Sequence, residues 1–227
     1  MAVAAKNPKP RKPREPRRPG RPRADEANQR ERLLDAAVAC FAADGIGATS
    51  LRGIAVKAGV TPALVNYYFG SKERLLDAFI TERITPVIAA LRESLLAAGS
   101  EPHSLVAAFV RGIHGAVARF PWWPSLWVRE VLSDNGALRN VLLEHISPQV
   151  AQLVAKNLAG MQRRGELNAG LDPRLLVVSL VGLTMFPLAA ESLWRRVFAA
   201  DDIDRAALLR HTLALLDHGL GDAHAHR

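Results

Sequence analysis

Apolar residues recur along this chain at helical spacing, in runs separated by Gly, Pro and polar clusters. No run alternates apolar with polar as a half-buried strand would. The first run, Leu33, Leu34, Ala37, Cys40 and Phe41, predicts a helix over about Asp25 to Asp44 that ends at Gly45. Two short helices follow, one over Leu51–Ala58 and one opening at Pro62. A long helix is predicted from Ser71 to about Ala98, kinked at Pro86 and stopped by Gly99-Ser100-Glu101-Pro102. Beyond it the pattern predicts helices over about Ser104 to Arg119, Trp127 to Ser133, Ala137 to Arg164 with Pro148 inside, Pro173 to Phe198, and Ile203 to His218. The expected fold class is all-α.

The stretch from Ser50 to Leu76 has the most specific local chemistry. Ser50 is an N-cap ahead of a helix whose Leu51, Ile54, Ala55 and Ala58 share one face. The small Ala55 lets a second helix cross close by. Gly59 ends the first helix and opens a tight turn. Thr61 is the next N-cap, and Pro62 takes the first helical position, where its missing N–H costs nothing. Leu64, Val65 and Tyr68 face inward, which leaves Thr61, Pro62, Ala63, Asn66 and Tyr67 outward. This is the grammar of a helix-turn-helix, whose second helix enters the DNA major groove. A plain helical hairpin competes with that reading, but caps, small residue, turn glycine and exposed polar face agree in order.

The outward residues suit nucleic acid. Asn66 is able to pair with adenine N6 and N7, and Pro62 and Ala63 to pack on a thymine methyl. Thr61 suits a phosphate or base edge, and Tyr67 a phosphate oxygen. Ser71 caps the next helix with Lys72 in its first turn, where helix N-termini attract phosphate. Thr49, Ser50 and Arg52, at the start of the first motif helix, complete the candidate contacts within the fold.

The segment LLDAAVACFAADGIGATSLRGIAVKAGVTPALVNYYFGSKERLL, from about Arg30 to Ile80, resembles the DNA-binding domain of TetR-type transcriptional regulators. The resemblance is carried by Tyr67-Tyr68-Phe69 and Ser71-Lys72-Glu73. Asn66 stands where many members have Tyr, and Tyr68 where many have His, which bears on the operator sequence. The resemblance implies a three-helix reader followed by a helical domain that senses a ligand and dimerises through the last two helices. The expected organisation is an arm over 1–24, a reader over 25–70, a regulatory and dimerisation domain over 71–220, and a tail over 221–227.

Charge sharpens the picture at one end. Residues 1–23 carry nine Lys or Arg against Glu15, the same +8 as the whole chain, so the remaining 204 residues balance to zero. Six prolines in those 23 residues predict an extended arm. Its end, Arg17-Arg18-Pro19-Gly20-Arg21-Pro22-Arg23, resembles the Gly-Arg-Pro core of AT-hook peptides, although Pro19 replaces the usual Arg. An extended Arg-rich strand fits a narrow A·T-rich minor groove, so Arg18, Arg21 and Arg23 join the candidate DNA contacts. A solvated tail that binds phosphates without specificity is the other reading. The single Cys40 suits core packing in a reducing compartment, and no apolar leader precedes the arm, so a cytoplasmic location is expected.

All four tryptophans, Trp122, Trp123, Trp127 and Trp194, lie beyond the reader. With Phe109, Phe120, Met161, Met185 and Phe186 they are candidates to line an apolar effector cavity, and His114, Arg129, Glu130 and Glu144 to supply its polar groups. Ordinary core packing explains each residue singly. The apolar run Leu175–Ala190 is shorter than the roughly 20 residues a membrane span needs and contains Pro187, so burial is expected instead. The last helix has two apolar stripes, which calls for two packing partners, one of them a second copy. The combined expectation is a homodimeric, ligand-responsive regulator of double-stranded DNA, a repressor that a small, largely apolar effector releases from a palindromic operator. The alternative is an architectural DNA-binding protein without a ligand. No phosphate loop, HExxH, zinc spacing or nucleophile elbow is present, so no enzyme activity, cofactor or metal is expected. His211 and His218 are read as solvent-exposed.

Overall fold

In the computed structural model, which describes residues 23–99 and 101–220, helices are the regular elements and no strand occurs among the described residues. Helices α1 (Arg23–Asp44), α2 (Leu51–Ala58) and α3 (Pro62–Phe69) form the reader. Ser50 Oγ accepts the Gly53 N–H at 3.0 Å. Gly59 takes the left-handed conformation, φ 67°, and lets the Val60 N–H turn back to the Ala55 carbonyl at 2.9 Å. Leu33, Leu34, Ala37 and Phe41 of α1 bury against Ile54 and Ala55 of α2 and Val65 and Phe69 of α3. The reader thus has the three-helix architecture expected of it.

The long helix expected after Ser71 is present, with a specific irregularity. Helix α4 (Lys72–Phe79) passes through a π turn, Ile80–Ile84, into α5 (Thr85–Ala97). Pro86 has no N–H, and its ring would collide with the carbonyl four residues earlier in a regular helix. Widening the preceding turn relieves that conflict, so the expected kink takes the form of a π turn. The same device recurs: α8 (Arg139–Val141) enters a π turn, Leu142–Ile146, just before Pro148 near the start of α9 (Ser147–Arg163).

Other boundaries differ where proline begins a helix instead of ending one. Helix α6 (Pro102–Arg119) has Pro102 in its first turn. Helix α7 (Trp123–Trp127), with Pro124 in its first turn, starts earlier than expected and runs into a third π turn, Val128–Leu132. The helix predicted over Pro173 to Phe198 is two helices, α10 (Pro173–Ala189) and α11 (Glu191–Phe198), meeting at 71°. Pro187 removes a backbone donor close to the break. Its carbonyl accepts the Trp194 indole N–H at 2.8 Å, which fastens α11 in the bent position. Among the described residues no single helix is long and apolar enough to cross a membrane. Helix α12 (Arg205–Leu220) closes the chain order, packed on α6.

Helix α1 docks on the first π turn through charge. Arg30 makes two bonds to Glu82, at 2.6 and 2.7 Å, and Arg83 reaches Glu31 at 2.5 Å and Asp35 at 2.9 Å. Above them the Phe79 ring sits edge-on to Phe41 at 5.4 Å. The hydrogen bond from Arg30 holds the Glu82 carboxyl below its ordinary range, against the opposing effect of burial. A depressed carboxylate stabilises the fold at pH values above its unfolded pKa, and that stabilisation is lost as pH falls through the lower folded value. Glu82→Gln is therefore expected to lower the melting temperature at pH 7 by a few degrees, on the order of 1 kcal/mol for a half-exposed pair. It should also reduce the further loss between pH 5 and 3, which thermal melts across that range will check.

Candidate nucleic-acid interface and apolar cavity

The outer face of α3 carries the expected residues. Thr61, Pro62, Ala63, Asn66 and Tyr67 are exposed, Tyr67 to 74%, while Val65 is buried and Leu64 and Tyr68 are half-buried. Thr61 makes no side-chain capping bond, so its hydroxyl is not committed to the helix start. Tyr67 rests edge-on against Tyr68, ring centroids 5.2 Å apart, which limits where its hydroxyl can swing. Ser50 and Arg52 are exposed beside this face at the start of α2. Lys72 Nζ donates to the Gly47 carbonyl at 2.8 Å, tying the α1–α2 loop to α4.

Two expectations on this surface change. Thr49 is 6% exposed and its hydroxyl donates to the Gly45 carbonyl at 2.7 Å, so it packs the loop and does not face outward. Arg23 is the first residue of α1, so helix begins inside the segment assigned to the arm. Arg18 and Arg21 lie outside the described residues, as does the expected tail over 221–227.

Two adjoining cavities, whose about 390 and 610 Å³ of space include open solvent at their mouths, lie between α5, α6, α7, α8, α9 and α10. They share Ile88, Trp123, Trp127 and Leu142. Trp122 and Val131 complete one wall of the smaller cavity, and Phe109 and Met185 line the larger. Five expected ligand contacts are thus brought together: Phe109, Trp122, Trp123, Trp127 and Met185. The aliphatic lining, including Ile84, Ile88, Val177 and Val181, was not singled out from sequence, because its spacing is the same as that of ordinary core.

The polar candidates are elsewhere, and each has a physical reason. Arg129 is exposed and donates to the Ala43 carbonyl at 2.5 Å. Glu130 is 5% exposed and accepts the Ile46 N–H at 2.8 Å and the Ala137 N–H at 3.0 Å. His114 is half-buried, its Nε2 has no partner among the described residues, and burial, then the nearby Arg205, pushes its pKa down. It is not among the lining residues, nor are Met161, which is buried in the core, and Glu144, which is exposed. Phe186 is 70% exposed, Phe120 lines a separate groove between α5 and α6, and Trp194 is committed to Pro187. Among the described residues the cavity therefore has no charged side chain in its wall. Among the described residues no three His, Cys, Asp or Glu gather as metal ligands.

Rings connect the cavity to the reader. Trp123 stacks on Trp122 at 6.3 Å, Trp122 meets Phe79 at 5.7 Å, and Phe79 meets Phe41 of α1.

Comparison with known proteins agrees with this geometry. Residues 33–79 match the family model described as bacterial regulatory proteins, tetR family. The chain is 27% identical over 162 residues to the HTH-type transcriptional regulator SrpR of Pseudomonas putida, covering 70% of this chain and 73% of that one. It is 38% identical over 89 residues to the HTH-type transcriptional regulator BetI of Rhizobium meliloti (strain 1021), covering 38% of this chain and 42% of the relative. In fold it resembles the ketosteroid transcriptional regulator KstR2 of Mycobacterium tuberculosis, with a TM-score of 0.70, 20% identity, and coverage of 85% of this chain and 95% of that one. These relatives are regulators and not enzymes.

The two threonines separate packing from recognition. Thr49→Val is expected to cost about 1 kcal/mol of stability through one lost hydrogen bond and to leave DNA affinity unchanged. Thr61→Val is expected to leave the melting temperature within about a degree and to weaken DNA binding. Thermal melts and fluorescence anisotropy on the same preparations will distinguish them, and a loss of affinity in Thr49→Val would contradict the assignment.

Proposed function

This chain belongs to the TetR family of bacterial transcriptional regulators, and from that premise we propose that it is a repressor which a small, largely apolar effector releases from a palindromic operator. The observation that carries the reading is the pairing of an exposed, base-competent face on α3 with a cavity whose lining, among the described residues, is uncharged and whose wall continues through contacting rings into α1. A charged effector entering that cavity would lose hydration without gaining an ion pair, which selects for an apolar one. Thr61 and Asn66 are the base-reading groups, with Pro62 and Ala63 beside them. Ser50, Arg52, Tyr67 and Lys72 serve phosphates. The basic arm ahead of α1 adds minor-groove or phosphate contacts, the reader runs from the start of α1 at Arg23 to about residue 70, and the body 71–220 regulates and dimerises.

A palindrome requires two copies, with recognition helices about 34–36 Å apart. The surface for the second copy is an apolar face on α10, α11 and α12. Leu175, Val178 and Phe186 are exposed along α10, Leu193 and Val197 on α11, and Leu215 on α12. Gly182, with open space around it, sits among the α10 residues and lets a partner helix approach. The face lies on the two helices expected to dimerise, Pro173 to Phe198 and Ile203 to His218, the first of which is bent into α10 and α11. Effector binding need only favour a conformation with a different reader spacing to release DNA.

Selection of duplexes from a random pool by the full chain tests the DNA reading. The expected product is a palindrome, on which Asn66→Ala loses about 1–3 kcal/mol, about five- to 150-fold. A pool that returns no palindrome favours an architectural role. Phe186→Glu is expected to sediment as a monomer at micromolar concentration and to lose affinity for the full palindrome. A dimer in that variant would place the interface elsewhere.

A further inference from the structure

Glu130 is a buried carboxylate that neither the DNA face nor the cavity uses. Its two oxygens join distant parts of the chain. Oε1 accepts the N–H of Ile46, in the loop between α1 and α2, and Oε2 accepts the N–H of Ala137. Its own backbone carbonyl accepts the Leu138 N–H at 3.1 Å. The neighbouring Arg129 donates to the Ala43 carbonyl, at the C-terminal end of α1, where carbonyls lack helical partners and favour a cation.

Two glycines show how closely these groups fit. A Cβ at Gly45, φ 88°, would lie 3.0 Å from Arg129 Cδ and 3.1 Å from Glu130 Oε1. A Cβ at Gly136 would lie 2.2 Å from the Glu130 carbonyl oxygen. The backbone of Glu130 therefore excludes a side chain at Gly136, and one at Gly45 would press on Arg129 and on the Glu130 carboxylate.

Arg129 and Glu130 belong to the π turn Val128–Leu132. Val131 of that turn lines the smaller cavity, and Trp127, just before it, lines both. One turn thus has a cavity wall on one side and the end of α1 on the other. Helix α1 is also held by the Glu82 and Arg83 ion pairs to the first π turn. A helix held at one place can pivot; held at two, its orientation is set.

We propose that Arg129 and Glu130 are positioning residues, a clasp on the end of α1 that sets reader orientation and yields when an apolar occupant displaces Trp127 and Val131. This rests on the regulator reading above. It adds a second route between cavity and reader, separate from the rings of Trp122, Phe79 and Phe41.

The test uses the full chain and a duplex selected by the wild type, offered as the complete palindrome and as a single half-site. Glu130→Gln preserves size but turns one acceptor into a donor facing an N–H. It is expected to lose at least tenfold in affinity on the palindrome and less than twofold on the half-site, with faster hydrogen exchange at the Ile46 amide. Val131→Phe, which fills the smaller cavity from its wall, is expected to reproduce all three effects with Glu130 intact. Arg129→Met, at an exposed position, is the milder variant should Glu130→Gln fail to melt cooperatively. Equal losses on both DNAs, no loss on either, or unchanged Ile46 exchange in Val131→Phe would overturn the clasp. If the wild type selects no duplex, the DNA reading fails, and Ile46 exchange in Val131→Phe still decides whether cavity and loop are coupled.

Discussion

The structure depends on the burial of Phe79. Its ring is fully enclosed, edge-on to Phe41 of α1 and tilted against Trp122. Aromatic contacts of this kind are worth about 0.5–1.5 kcal/mol beyond area burial, and loss of such a ring typically costs about 3–5 kcal/mol. The position matters more than the magnitude. Phe79 is the last residue of α4, so one side chain joins the reader's core, the helix that leaves it, and the wall of the apolar cavity. The Arg30–Glu82 and Arg83 pairs flank that contact and set the direction in which α1 lies across it.

The reader was legible because its signals are local. Ser50, Gly59, Thr61 and Pro62 each specify the backbone of their own turn, and the structure uses Ser50 and Gly59 in the expected way. Prolines were legible as irregularities but not as kinds of irregularity. Pro86 and Pro148 follow π turns, Pro102 and Pro124 begin helices, and Pro187 precedes a bend. What decides among these is the packing around each one. The apolar spacing did contain one clue: buried Leu75 and Phe79 are four apart, as helices require, whereas the next buried residue, Ile84, is five further on.

The cavity was half legible. Aromatic residues marked its neighbourhood, but aliphatic lining at helical spacing is the same in a cavity wall as in a filled core. The polar assignments failed for a clearer reason. Arg129 and Glu130 sit among Trp127, Val128 and Val131, which made them look like the placed polar groups of a pocket. Their partners are backbone groups far back in the chain, Ile46 being 84 positions away from Glu130. No local pattern encodes a contact of that length. Thr49 has the opposite history: its partner Gly45 is only four residues away, and loop closure took a hydroxyl that residue type alone would give to DNA.

The π turn at Ile80–Ile84 has a consequence for how chains of this kind can change. It accommodates about one residue more than a regular helix would over the same path, and one residue is worth about 100° of rotation in a helix of 3.6 residues per turn. The α4 face that meets α1 and the α5 face that meets α6 are therefore related by that extra residue. Removing it would return the segment to a regular helix over the same path, whereas a residue added to a regular stretch would lengthen the helix by about 1.5 Å and turn the reader by about 100° around its axis. The wide turn thus absorbs a change in residue count that elsewhere in the helix would re-aim the DNA-facing surface.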